Sequence, residues 1–194
     1  MRVIAGQFRS RVLEAPAGMG TRPTSDRLRE TLFNVLAPRI EGARVLDLYA
    51  GSGTVGIEAL SRGAAAAEFV ERADGALKAL RGNLKNLGLQ AAVHKSTVGA
   101  FLRRAGKSAG AFDIVFLDPP YEAGEEYEGT LGFLGGAASP WSQNRDQGHP
   151  MLNRGAVVIA EHARRDALAE EFGALRRVRL LEQGDAALSF YERS

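Results

Sequence analysis

Between residues 43 and 161 the chain alternates short apolar, β-branched runs with amphipathic stretches, and this alternation limits its fold more than any other feature. ARVLDLYA (43–50) reads as a buried strand, and TVGIEALSRG (54–63) as the helix that follows it. AAEFVE (66–71) and ADGALKALRGNLKNLG (73–88) repeat the pattern. QAAVHK (90–95) is a weaker third strand before a short helix, VGAFLRRAG (98–106), and AFDIVFLD (111–118) is a strongly apolar fourth. A fifth strand at 155–161 precedes a helix predicted over 164–172. Alternation of this kind predicts an α/β chain with a mostly parallel, Rossmann-like doubly wound sheet. Runs at 174–182 and 186–192, separated by Gln183-Gly184-Asp185, predict a closing antiparallel edge.

Other segments frame this core. MRVIAGQFRSRVLEAP (1–16) reads as two short strands, 2–8 and 11–14, forming a small hairpin extension. After a loop rich in Pro and Gly, SDRLRETLFNVLA predicts a helix that starts at Thr24 or Ser25 and stops before Pro38. Residues 135–150, turn-rich and carrying Trp141, read as an excursion between the fourth and fifth strands. We therefore expect an RNA-docking hairpin and loop over 1–24 and one catalytic domain over 25–194. At 194 residues, no apolar run approaches the ~20 of a membrane span, and the start lacks an apolar signal segment. With no cysteine there is no disulfide, thiolate metal site or thiol nucleophile. His94, His149 and His162 show no metal-ligand spacing, so no metal is expected, and the default is a cytoplasmic monomer.

The first strand ends in DLYAGSGTVG, where Gly51-x-Gly53-x-x-Gly56 allows a tight turn and close backbone approach to a ligand. The glycines suit a dinucleotide or an adenosyl cofactor equally well. Glu71, ending the second strand, can accept ribose hydroxyls of either. Asp47 breaks the tie, because its carboxylate repels a pyrophosphate but attracts an ammonium and a sulfonium. Asp118-Pro119-Pro120-Tyr121 closes the fourth strand, which in doubly wound sheets commonly flanks the switch point beside the first. The prolines leave carbonyl acceptors beside the Asp118 carboxylate, and Tyr121 adds a stacking face. That set suits an extruded base with an exocyclic amine. The reading is methyl transfer from S-adenosylmethionine. A nicotinamide oxidoreductase, an adenine N6 methyltransferase acting on DNA or another RNA, and a non-catalytic RNA-binding assembly factor remain as alternatives.

Together, RVIAGQFRSRVLEAP, TRPTSDRLRETLFNVL, VLDLYAGSGTVGIEALSRGA, EFVE, FLDPPY and SFYER resemble the RsmD family nearly end to end. These are bacterial class I methyltransferases that modify a guanine of 16S ribosomal RNA at its 2-amino nitrogen. The resemblance implies S-adenosylmethionine as cofactor, and 16S rRNA within the small ribosomal subunit as substrate, at guanine 966. It implies that Asp47, Gly51 and Gly53 line the methionine end of the cofactor, that Glu71 holds its ribose, and that Tyr49, Ser52 and Asp118 also contact it. Asp118 and Pro119, with Pro120 behind them, would grip the amine while Tyr121 stacks on the base. Arg22, Thr24 and Arg27 match the family's loop and helix start near the site. Two positions depart from the family pattern: Ala73 stands where an acid is frequent, and Thr97 occupies the slot that meets the adenine. Six arginines (2, 9, 11, 22, 27 and 29) against Glu14 and Asp26 in the first 29 residues suggest a phosphate-facing edge, led by Arg9 and Arg11.

Overall fold

The computed structural model describes residues 1–15, 26–105, 112–120, 124–137, 141 and 151–193. The chain forms two compact units, residues 1–96 and 97–194.

In the first unit, α1 (Asp26–Ile40) buries Leu28, Leu32, Phe33, Leu36 and Ile40 along one stripe. It runs past Pro38, contrary to the expected stop. A proline in the last turn removes one intrahelical bond, and burial of Ile40 (6 % exposed) keeps that turn wound. The expected start at Thr24 or Ser25 lies outside the described residues. β1 (Arg44–Leu48), α2 (Thr54–Ser61), β2 (Ala66–Glu71), α3 (Asp74–Asn86) and β3 (Ala92–Lys95) follow, with the strands parallel in the order β3-β2-β1. β1 is buried almost throughout, with Val45, Leu46 and Leu48 as its apolar side chains, as expected of a strand covered on both faces. The amino-terminal hairpin is shorter than expected: its arms meet at one antiparallel bridge, Arg2 to Val12. Val3 and Leu13 sink into the core, whereas Arg2, Arg9 and Arg11 stay exposed.

The second unit contains α4 (Val98–Ala105), β4 (Phe112–Leu117), α5 (Gly124–Gly135), β5 (Leu152–Ala163), β6 (Glu171–Phe172), β7 (Leu175–Gln183) and β8 (Ala186–Arg193). β4 and β5 are parallel; β8, β7 and the short β6 continue antiparallel in the order β4-β5-β8-β7-β6. The alternation is thus that of the Rossmann-like α/β class, with antiparallel carboxy-terminal strands.

The helix expected over 164–172 does not form. Its backbone groups are claimed from outside the segment: Arg164 N–H donates to Asp185 O (2.8 Å), Arg177 Nη1 to Leu168 O (3.0 Å) and the Tyr191 hydroxyl to Ala169 O (2.8 Å). Tertiary bonds override a helical pattern here. α5 was not legible in the sequence, since glycines at 124, 129, 132 and 135 weaken helix propensity. Packing requires two of them. A Cβ on Gly129 would stand 2.7 Å from the Trp141 ring, and one on Gly135 only 1.7 Å from Phe172 O. Trp141 therefore lies against Gly99 of α4 and Gly129 of α5 as an apolar anchor. Among the described residues no helix is long and apolar enough to cross a membrane.

Candidate cofactor site

The first unit builds a cradle where β1 gives way to α2. Tyr49, Gly51 and Gly53 all take left-handed backbone conformations, with φ of 61°, 56° and 81°. For Tyr49 this costs about 1–2 kcal/mol, strain that clusters at ligand sites. Two bonds tie the turn: Ala50 N–H donates to Val70 O (3.0 Å) and Gly53 N–H to Ala50 O (2.7 Å). At Gly51 a Cβ would meet nothing within 4 Å among the described residues, so this side of the turn is open. At Gly56 it would stand 2.3 Å from Phe69 Cε1, so the third glycine seats α2 against β2. The glycine spacing thus serves two ends, one open surface and one close contact.

Two carboxylates hold the cradle. Glu71, half-buried at the end of β2, accepts from Gly51 N–H through Oε2 (2.9 Å). Its Oε1 accepts from the N–H groups of Arg72 and Ala73, both at 2.7 Å. With two lone pairs per oxygen, Oε2 retains one acceptor position, suited to a hydroxyl. Asp47, 2 % exposed, accepts from Gly56 N–H through Oδ2 (2.9 Å) and so also caps the first turn of α2. Burial pushes its carboxyl up to about 8; the Gly56 bond opposes this and the charge of Glu71 adds to it. A buried acid balanced between protonation states becomes an anion readily when a cation arrives. This set of acceptors is chemically suited to a ligand with a cationic amino-acid end and a ribose diol. Ser52 is buried, and its carbonyl accepts from Asn83 Nδ2 (3.0 Å).

The remaining expected residues lie as follows. Thr97 caps α4: its Oγ1 accepts from Ala100 N–H (3.3 Å) and its carbonyl from Phe101 N–H (3.0 Å). In the second unit, Asp118 leaves the end of β4 half-buried, followed by a buried Pro119 and an exposed Pro120. Tyr121 lies outside the described residues, as do Arg22 and Thr24. Arg27 is exposed on α1. Arg29, counted with the basic cluster, faces no phosphate. It is fully buried, donates to Arg2 O (2.6 Å) and Asp26 Oδ1 (2.9 Å), and lies 3.9 Å from Glu58. His162 is likewise structural, buried with Nε2 2.9 Å from Ser189 Oγ. Among the described residues no cluster of His, Cys, Asp or Glu could hold a metal.

Sequence reasoning missed the polar anchors of the amino-terminal segment. Glu58, 1 % exposed, accepts from the N–H groups of Ile4 (2.7 Å) and Ala5 (3.0 Å). Ser61 Oγ accepts from Phe8 N–H (3.0 Å) and donates to Ala5 O (2.6 Å). Glu58, Ser61 and Asn83 all sit at buried helix positions, so an amphipathic pattern that turned three polar groups inward was the available signal.

Comparison with known proteins bears on the family and the fold. The family described as conserved hypothetical protein 95 matches residues 1–192. The chain is 37 % identical to YlbH of Bacillus subtilis strain 168, provisionally an rRNA methyltransferase, over all of this chain and 99 % of that one. It is 46 % identical to the ribosomal RNA small subunit methyltransferase D of Escherichia coli K12 over 64 % of this chain and 62 % of that protein. The solved structure of Escherichia coli yhhF, a provisional methyltransferase, superposes with a TM-score of 0.81 at 34 % identity, covering 100 % of this chain and 98 % of the other.

Proposed function

Since the chain belongs to the RsmD family of class I methyltransferases, we propose that it methylates the 2-amino group of a guanine in 16S rRNA, at position 966, within the small ribosomal subunit. S-adenosylmethionine is its cofactor, and supplies an electrophilic methyl group carried on a sulfonium. The observation that carries the reading is the pairing of Asp47 and Glu71 around an open glycine turn. A buried carboxyl meets a cationic amino-acid end, and a pinned carboxylate keeps one acceptor for a ribose hydroxyl. A pyrophosphate would meet two acids there, which disfavours a nicotinamide dinucleotide.

The name of the Escherichia coli relative supports ribosomal RNA of the small subunit as substrate. The guanine amine is a weak nucleophile because its lone pair is delocalised into the ring. In the proposed mechanism the Asp118 carboxylate and the Pro119 carbonyl accept the two amine hydrogens. This localises the lone pair and aims it, while Tyr121 fixes the base plane. As the nitrogen–methyl bond forms, the methyl's bond to sulfur would break with its electron pair left on the sulfur as a neutral thioether, and one amine proton would leave to Asp118 or to water. Arg9, Arg11, Arg22, Thr24 and Arg27 are the proposed RNA contacts. Monomeric action in the cytoplasm completes the proposal.

Methyl transfer from tritiated donor to small subunits lacking the modification, followed by nucleoside analysis, tests it. N2-methylguanosine is expected. Label recovered as N6-methyladenosine would refute the assigned base, and absence of label would refute the substrate. Asp118→Ala should abolish turnover and leave S-adenosylhomocysteine affinity within about twofold; full activity in that variant would overturn the proposed grip on the amine.

A further inference from the structure

One buried amide joins the amino-terminal segment to the cofactor turn. Asn83 projects from α3 at 1 % exposure, and every polar atom of its side chain is engaged. Oδ1 accepts from Glu14 N–H (2.8 Å), while Nδ2 donates to Glu14 O (3.1 Å) and to Ser52 O (3.0 Å). The bonding fixes which end of the amide is which, because Nδ2 faces two carbonyl oxygens and Oδ1 faces an N–H. Ser52 stands between Gly51 and Gly53 in the cradle. Glu14 lies three residues beyond Arg11, at the end of the segment that carries Arg9 and Arg11.

We infer that Asn83 is a positioning residue that couples cofactor binding to the order of residues 1–15. This deepens the proposed function, since it rests on the reading of that segment as the RNA-docking edge. The glycine turn contains three left-handed residues and an open face, so a bound cofactor narrows its conformations. A narrowed turn holds Ser52 O at one place, which fixes Nδ2 and thereby both bonds to Glu14. At its near end Arg29 donates to Arg2 O, and Glu58 and Ser61 bond at residues 4–8. At its far end the Arg11 guanidinium makes an exposed bond to Asn86 O (3.4 Å), and Asn83 contributes a buried link that also reaches the glycine turn. Coupling between sites is reciprocal, so loss of this link must also loosen cofactor binding. The consequence is an order of events: a donor-loaded enzyme presents a better ordered arginine edge to RNA than an empty one.

Amide hydrogen exchange of the full chain, with and without S-adenosylhomocysteine, tests the coupling without any RNA. In the unaltered protein, exchange in the peptide spanning residues 1–15 should slow at least threefold when S-adenosylhomocysteine saturates the site. In Asn83→Ala that ratio should fall to about one, and S-adenosylhomocysteine affinity should drop about three- to tenfold, the value of about one net hydrogen bond. A merely structural role would raise exchange in both states and leave the ratio unchanged, which would overturn the proposal. So would ligand-independent exchange of the peptide in the unaltered protein, a result that needs no variant to fold. Failure of the RNA-docking reading is a separate result, seen as unchanged RNA affinity when Arg9 and Arg11 are removed.

Discussion

Asp47→Asn separates the cofactor role of the cradle from its effect on stability. An ordinary aspartate ionises near 3.8, but burial holds Asp47 up to about 8. The sign follows from linkage: the folded chain keeps a proton that the unfolded chain has released, so stability falls as pH rises from about 4 to about 8, then levels off. At pH 7 the gap of 3.2 units corresponds to an upper bound of about 4 kcal/mol at ~1.36 kcal/mol per unit. Relaxation and water entry around the carboxyl lower the cost to about 2–3 kcal/mol. Asparagine carries no such penalty, and its Oδ1 can still accept from Gly56 N–H, so the cap on α2 survives. For a chain of this size, at ~2–4 °C per kcal/mol, Tm should rise by about 4–12 °C at pH 7 and by almost nothing at pH 4. Cofactor binding should move the other way. Neutral asparagine offers no anion to an ammonium, so S-adenosylhomocysteine affinity should fall at least tenfold. In the unaltered protein, binding at pH 7 should release close to one proton, read as a dependence of calorimetric enthalpy on buffer ionisation; the variant should release none. A Tm difference equal at pH 4 and pH 7 would refute the account of the buried carboxyl. Unchanged affinity would refute its role toward the cofactor.

Other consequences can be measured directly. Glu58→Ala strips the acceptor from two backbone N–H groups and from the Arg62 guanidinium, and removes one of two anions near the buried Arg29, whose pair with Asp26 at 2.9 Å remains, so urea unfolding should show a loss of about 2–4 kcal/mol, against which a loss below ~1 would count. His162 is held below its ordinary value chiefly by burial; the unfolded chain therefore takes up a proton that the folded one refuses, and stability should decline as pH falls below about 6.5. His162→Gln should flatten that acid limb in thermal melts across pH 4.5–7.5. Replacing Arg9 and Arg11 by alanine should reduce the slope of log affinity for RNA against log salt by about 1–2, as expected for the loss of one or two phosphate contacts.

The legible parts of this molecule are those where one side chain or one short run answers to one physical demand. β1, β2 and β4 declared themselves because strands covered on both faces need apolar residues at nearly every position, and Val45, Leu46, Val70 and Val115 supply them. Asp47 and Glu71 were legible because an acid at the carboxyl end of a buried strand has few reasons to be there. The helix expected over 164–172 failed for the opposite reason. Its pattern was adequate locally, but Arg177 and Tyr191, from strands later in the chain, claim its carbonyls. α5 escaped notice because its glycines are set by Trp141 and by Phe172 O, contacts that no window of sequence contains. Asn83 is the sharpest case. On α3 it reads as a helix residue of indifferent propensity, and only three partners at residues 14 and 52 give it meaning. Local pattern therefore reveals the acids that hold the glycine turn, while the bonds that tie the amino-terminal segment to that turn become visible only when distant residues are brought together.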